Sequence, residues 1–354
     1  IKINSVSETT LGVSIPSYRV DVTRPADIVE EILRVYGYNR IDFSNQLSTS
    51  MPSTNKASDQ IERLISQQLA NLGFFEIYNN SLTKLQESDK DMTVTIVNPL
   101  SQELSAVRTT LFGGLIDAIQ YNLNRKNNDC KFFEIGNVYH KIGSDYKERK
   151  QLIIGVTGSQ HANHWRNNGH LNDFFYLKGV IQAICNRAGI DFTENGLKKQ
   201  KHIIQGVSLQ CGDIQFGAIG QLNKSAFEGL GIESEIFTAE IDLETFKSLA
   251  KNSAKHIKSI SKFPSVNRDM ALLVNNDVTF ESLRKSAQET EKKILTSIQL
   301  FDVYEGKGIP KGKKSYGLSF TLNDTRKTLT DNQVDKVMKR IFQQIQNDFG
   351  AELR

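Results

Sequence analysis

At 354 residues, 38% hydrophobic and 24% charged, the chain has the composition of a soluble globular protein and is too long for one ordinary core, so two or three domains are expected. Its net charge of +4 is unevenly placed: residues 255–354 carry 18 Lys and Arg against 12 Asp and Glu, whereas residues 1–254 carry 26 against 28. Contact with a polyanion is therefore expected near the C-terminus. Three scattered cysteines, Cys130, Cys185 and Cys211, argue against a disulfide scaffold or a thiolate zinc site and fit a reducing cytoplasm. No run approaches the roughly 20 apolar residues that a membrane span needs. There is no signal peptide, and a chain that starts at Ile1 reads as beginning partway through a domain.

The first informative stretch is SIPSYRVDVTRPADIVEEILRVYGYNRI, residues 14–41. Ile15, Tyr18 and Val20 read as a strand entering a turn. Thr23, Arg24 and Pro25 then open a helix, since proline suits the first helical position. Ile28, Val29, Ile32, Leu33, Val35 and Tyr36 give that helix a broad apolar side, and Gly37 ends it. Asp27, Glu30 and Glu31 place three carboxylates on the helix, with Asp21 before them. Like charges at that spacing repel by about 0.2–0.5 kcal/mol per pair, which a hard divalent cation such as Mg2+ would offset. Spacing alone slightly favours a plainer reading: acids in a first turn complement the helix dipole, and Glu30 reaches Arg34.

A polar, turn-rich linker follows Ile41. The next region predicts a helix over 61–72 closed by Gly73, strands in FFEIYNNSL and MTVTIVNPL, and a helix over 109–125. It continues with the strands CKFFEIGNVYH and LIIGVTGS, a helix in FFYLKGVIQAICNRAG, and a hairpin turning at Gly212–Asp213. EIFTAEIDLETFKSLA finishes with a strand and a short helix. The sum is a largely antiparallel α+β domain. His161, His164 and His170 surround the sole tryptophan, Trp165, but lack a completing carboxylate or cysteine, so a polar surface loop anchored by Trp165 is expected there.

From about Ser259 the order β-α-β-β-α-β describes a ferredoxin-like split unit. Tyr316, Leu318, Phe320 and Leu322 alternate on one strand, and Thr330 with Gln333 forms a capping box before a helix ended by Gly350. Lys307, Lys311, Lys313 and Lys314 crowd one loop, with Lys262, Arg268, Arg326 and Lys327 near other loop ends. As a group they suit phosphate contacts, and Tyr304 or Tyr316 suits base stacking; any one lysine is as readily a solubilising charge.

The phrases carry more than their periodicity. PSYRVDV followed by DIVEEILRVYGYNRI resembles the B5 domain of the bacterial phenylalanine–tRNA ligase β subunit. That resemblance implies Mg2+ at Asp21, Asp27, Glu30 and Glu31, beside the catalytic α subunit. NPLSQELSAVRTTLFGGLIDAI and KFFEIGNVYH are similar to the family's class II synthetase-like domain. Active members of that class place an arginine before the motif glutamate; here Phe132 and Phe133 precede Glu134, so this domain is expected to be a non-catalytic copy. KFPSVNRDMALLV, FDVYEGKGIPKGKKSYGLSFTL and RKTLTDNQV resemble the ferredoxin-fold anticodon-binding domain of the same subunit. The resemblance implies an α+β chain in three parts: B5-like over 1–47, catalytic-like over 51–252 and anticodon-binding over 258–354. It further implies a cytoplasmic α2β2 ligase, with ATP and phenylalanine bound by the α subunit and tRNA(Phe) as partner. The competing expectations are an assembly module that binds no RNA and a free-standing metal-dependent hydrolase. No histidine or other general base accompanies the acids to support the latter.

Overall fold

The computed structural model describes residues 1–42, 46, 48–50, 57–85, 91–161, 165, 169–197, 202–252 and 260–354, with the backbone alone at 57–59, 226, 251 and 252. Two compact units divide it, residues 1–252 and 253–354. The fold is α+β.

The first unit opens with an antiparallel hairpin of β1 (Lys2–Val6) and β2 (Leu11–Ser14). The strand expected through Ile15, Tyr18 and Val20 is instead a run of turns. Pro16 has no N–H to give a ladder, and its carbonyl accepts from Arg19 N at 2.9 Å while Arg19 O accepts from Val22 N. Helix α1 (Pro25–Tyr36) then begins with proline at its first position, as expected. Gly37 ends it at φ 99°, a conformation costly for any residue with a Cβ.

A seven-stranded sheet forms the main body. The elements in chain order are α2 (Ala57–Asn71), β3 (Phe75–Glu76), β4 (Leu82–Thr83), β5 (Ala106–Val107), α3 (Phe112–Leu123), β6 (Cys130–Ile142) and β7 (Asp145–Thr157). They continue with α4 (Phe174–Ala188), β8 (Thr193–Gly196), β9 (Ile203–Cys211), β10 (Ile214–Leu222), β11 (Phe237–Asp242) and α5 (Leu243–Asn252). The sheet order is β3-β6-β7-β11-β10-β9-β8, antiparallel except for the β3–β6 pair. Alternation along β7 sorts the two faces: Leu152, Ile154 and Val156 pack with α2, α4 and α5, while Ile153 packs with α3 and Phe132. Gly155 makes room for Leu115 of α3, whose methyl would lie 2.7 Å from an added Cβ.

Two further expectations need correction here. MTVTIVNPL forms no strand; only an isolated bridge, Thr95 to Ala106, survives of its alternation, and Val97 is fully exposed. Trp165 is 84% exposed rather than buried beneath its loop; His164 lies outside the described residues.

The second unit contains β12 (Val266–Asn275), α6 (Phe280–Thr290), β13 (Leu295–Tyr304), β14 (Lys313–Leu322), α7 (Asp331–Phe349) and β15 (Glu352–Leu353). Its sheet order, β13-β14-β12-β15, is that of the split βαβ unit. Thr330 and Gln333 cap α7 reciprocally, and Gly350 ends it in the left-handed conformation. Both helices cover one face, where Leu272, Leu318, Phe320, Val334, Ile341 and Ile345 are buried together. Among the described residues no helix is long and apolar enough to cross a membrane.

Candidate functional site

Three places in the chain concentrate chemistry. The first is the acidic cluster of residues 21–31, which the structure does not gather into one cup. Arg19 Nη2 stands between Asp21 Oδ2 at 2.8 Å and Glu31 Oε1 at 2.6 Å, with Arg19 Nε also donating to Asp21. Asp27 is turned the other way and accepts from the backbone N–H groups of Thr23 (2.9 Å) and Arg24 (2.7 Å), so it caps α1. Glu30 is exposed on the helix, and its expected reach to Arg34 is not formed; Arg34 donates to Glu31 instead. The Arg19 guanidinium holds the carboxyls of Asp21 and Glu31 below the usual carboxylate range, and the two backbone donors do the same for Asp27.

Asp21 and Glu31 therefore suit a cation, since their oxygens already converge on one charged nitrogen. Hard carboxylate oxygens are also the donors that Mg2+ takes. Asp27 fits less well, because one of its oxygens is engaged in the cap. As arranged, no group of three or more acidic, histidine or cysteine side chains among the described residues could hold a metal ion.

The second place is the α3 side of the large sheet. Arg108, in the turn before α3, reaches under it to Glu134 of β6 at 2.6 Å, and Asn79 donates to the other oxygen of that carboxylate at 2.7 Å. Arg108 is 9% and Glu134 1% exposed. Arg108 also donates through Nε to the carbonyl of Asn137 (3.0 Å) and through Nη1 to that of Asn79 (3.4 Å). Gly136 is required beside it, because an added Cβ would lie 2.3 Å from Arg108 Nη2. An adjoining cavity of about 620 Å3 is lined by Thr83, Thr109, Asp117, His202 and Ser225 among others. Burial pushes the Asp117 carboxyl up. Neither the Arg108–Glu134 pair nor the role of Gly136 is visible from local pattern, since 26 residues separate the partners.

The third place is the sheet face of the C-terminal unit that the helices leave open. Strand pairing puts Asn267, Asp269, Ala271 and Leu273 of β12 beside Thr321, Ser319, Gly317 and Ser315 of β14 on that face. Tyr304 opposes Ser315 and is 37% exposed, with the Arg354 guanidinium 4.9 Å from its ring centre. A bulge between Leu300 and Asp302 adds Phe301, which is 61% exposed and lies across Gly317. Tyr316, the other expected stacking residue, is 7% exposed and faces the core, where its hydroxyl donates to Val278 O.

The basic residues divide between the two ends of this sheet. Lys262 and Arg326 lie at the start of β12 and just past β14, near one another across the Asn323–Phe263 hydrogen bond. Arg268, at the same end, bonds to Asp331 at 2.7 Å. Lys307 and Lys311 are exposed in the loop at the opposite end, where Lys313 bonds to Glu352 and Lys314 to Asn276 O. Ten strand residues separate the ends by about 30 Å, so the seven form two groups rather than one, and Arg268 and Lys314 lie on the helix side of the sheet, opposite Phe320 and Val274.

Comparison with known proteins bears on all three places. The family model "tRNA synthetase B5 domain" matches residues 1–38, "Phenylalanyl tRNA synthetase beta chain CLM domain" matches 44–243, and "Ferredoxin-fold anticodon binding domain" matches 261–354. The phenylalanine–tRNA ligase beta subunit of Bacteroides fragilis is 35% identical over all of this chain and 46% of its own length. That of Porphyromonas gingivalis is 32% identical with the same coverage, and that of Syntrophus aciditrophicus 30% identical over 96% of this chain. The chain thus spans about half the length of the curated relatives it matches. A solved pyrrolysyl tRNA synthetase from Desulfitobacterium hafniense is 15% identical over 56% of this chain and 70% of its own, with a TM-score of 0.42, too low to carry any argument.

Proposed function

Because the chain belongs to the phenylalanyl-tRNA synthetase beta chain family, we propose that it is the C-terminal half of a β subunit that supports the ligation of phenylalanine to tRNA(Phe) without performing the chemistry. Its C-terminal unit holds the anticodon region of the tRNA. The middle region is a non-catalytic scaffold, and residues 1–41 dock on the catalytic α subunit of a cytoplasmic α2β2 enzyme with Mg2+ at Asp21, Asp27, Glu30 and Glu31. ATP and phenylalanine bind to the α subunit.

The observation that carries this reading is the open sheet face of residues 260–354. The partly exposed Tyr304, a second aromatic at Phe301 and cationic loops at both ends supply stacking and phosphate contacts to single-stranded RNA. The scaffold role is supported by the nearly buried Arg108, which donates to Glu134 and to two backbone carbonyls and so ties β6 to the turn before α3. Docking is supported by the apolar side of α1: Val29, Ile32, Val35 and Tyr36 are all at least half exposed, an unusual cost for one short helix.

The test is binding of tRNA(Phe), followed by fluorescence anisotropy. Replacing a stacking aromatic costs about 1–3 kcal/mol per base, so Tyr304→Ala should weaken binding roughly 5- to 150-fold with unchanged thermal stability. Tyr316→Ala should instead lower stability, being a core residue. Equal tRNA affinity for parent and Tyr304→Ala would reject the open face as the RNA surface and favour the assembly module that binds no RNA.

A further inference from the structure

The cavity beside α3 is kept open at a cost to the helix. Gly113 and Gly114 stand in its first turn, where glycine is less favourable than alanine. Close packing explains only one of them: a Cβ on Gly114 would lie 2.7 Å from Asn79 Nδ2, whereas one on Gly113 would meet nothing within 4 Å. Asp117 follows Gly113 by one turn, and helical side chains lean toward the N-terminus, so its carboxyl lies below the space that a side chain at 113 would fill. Both residues line the cavity, whose volume of about 620 Å3 suits a small organic ligand.

Asp117 is not placed to serve the helix. It lies beyond the first turn, where the dipole no longer favours an acid, and the positions three and four residues away hold Gly113, Gly114, Gln120 and Tyr121, none of them a cation. Asp117 keeps an exposed surface, yet the protein around it desolvates the carboxyl enough to push it up, and no hydrogen bond or charge from the described residues offsets this. The lysine and the arginine on the cavity wall are engaged elsewhere: Lys84 pairs with Glu103 at 3.4 Å and Arg108 with Glu134 at 2.6 Å. An anionic ligand would meet an unbalanced carboxylate there, and a cationic one a ready acceptor. Thr83 and Ser225 add hydroxyls to the wall, and Ile116 and Leu230 add apolar surface for an aliphatic chain. We propose that this cavity binds a small aliphatic amine, whose ammonium group donates to Asp117 and whose chain lies in the space that Gly113 leaves. The site calls on none of the residues assigned above to tRNA, Mg2+ or docking.

The experiment titrates the 354-residue chain with cadaverine in a calorimeter, beside pentanediol and glutarate, which have the same carbon chain and carry no charge or a negative one. Cadaverine should bind, and the other two should not. Hydrogen bonds to charged groups are the stronger ones, so Asp117→Asn should weaken cadaverine binding by about tenfold or more. Its melting temperature should hold, since Asp117 has no partner to lose. Gly113→Met fills the cavity without changing any charge and should abolish binding, while the melting temperature holds or rises because the helix gains a better former. A free amine and a lysine side chain of a partner present the same group: cadaverine binding retained after the matching α subunit is added marks the first as the occupant, and competition by that subunit marks the second. No cadaverine binding by the parent, equal affinity in Asp117→Asn or in a folded Gly113→Met chain, or equal binding of pentanediol overturns the proposal.

Discussion

Replacing Arg108 should be among the most damaging single changes in the large unit, and the structure gives the size of the effect. Glu134 is 1% exposed and its carboxylate has two partners, Arg108 at 2.6 Å and Asn79 at 2.7 Å. Arg108→Met keeps most of the side-chain volume but leaves a buried charge with one neutral donor, and removing one member of a buried pair costs about 3–5 kcal/mol. Two carbonyls, of Asn137 and Asn79, lose donors as well. Exchanging both members, Arg108→Met with Glu134→Leu, removes the orphaned charge and should recover most of the loss. Urea unfolding followed by circular dichroism gives the four stabilities of the cycle, and hydrogen exchange at β6 and β7 shows that the change lies in this unit. Arg108→Met costing less than about 1 kcal/mol, or a double variant no more stable than the single, would refute the claim that this pair locks β6 onto the turn before α3.

Gly136→Ala should cost about 1–3 kcal/mol by overpacking, read as a lowered melting temperature, because the new methyl would meet both Arg108 Nη2 at 2.3 Å and Leu111 at 3.0 Å. The pH response of the acidic cluster has a definite sign. Asp21 and Glu31 are held below their ordinary values by Arg19, so the stability they contribute is present above about pH 4–5 and is lost as pH falls through their lowered folded values. Carboxyl resonances of Asp21 and Glu31 should accordingly titrate at lower pH in the parent than in Arg19→Gln; coincident titrations would contradict the pairing.

How much of this was legible in the sequence depends on the range of the interaction involved. The C-terminal unit was read nearly whole, since its signals are local: alternation through Tyr316–Leu322, the Thr330–Gln333 box and the Gly350 stop. The same alternation misled at 92–97, where only an isolated bridge forms, and at 15–20, where Pro16 breaks the ladder and turns follow. Of the two tyrosines offered for stacking, period-2 alternation placed Tyr316 with Leu318 and Phe320, and that face proved to be the core. Phe301 could not have been found, because a bulge adds one residue to β13 and changes which side chains face out. At the acids, spacing showed the carboxylates but not that Arg19 lies between two of them. Asp27 as a first-turn acid was foreseen, whereas the pair expected between Glu30 and Arg34 is replaced by Glu31 with Arg34.

The reading stands or falls on assembly, tested by light scattering after chromatography of the chain mixed with the matching α subunit, in Mg2+ and then in EDTA. The account predicts a complex that persists in Mg2+ and loosens in EDTA, with α1 and the acids at the contact. A chain that elutes alone in both conditions would contradict docking through residues 1–41. A complex indifferent to EDTA would keep the docking and return Asp21, Asp27, Glu30 and Glu31 to the service of helix α1 and Arg19.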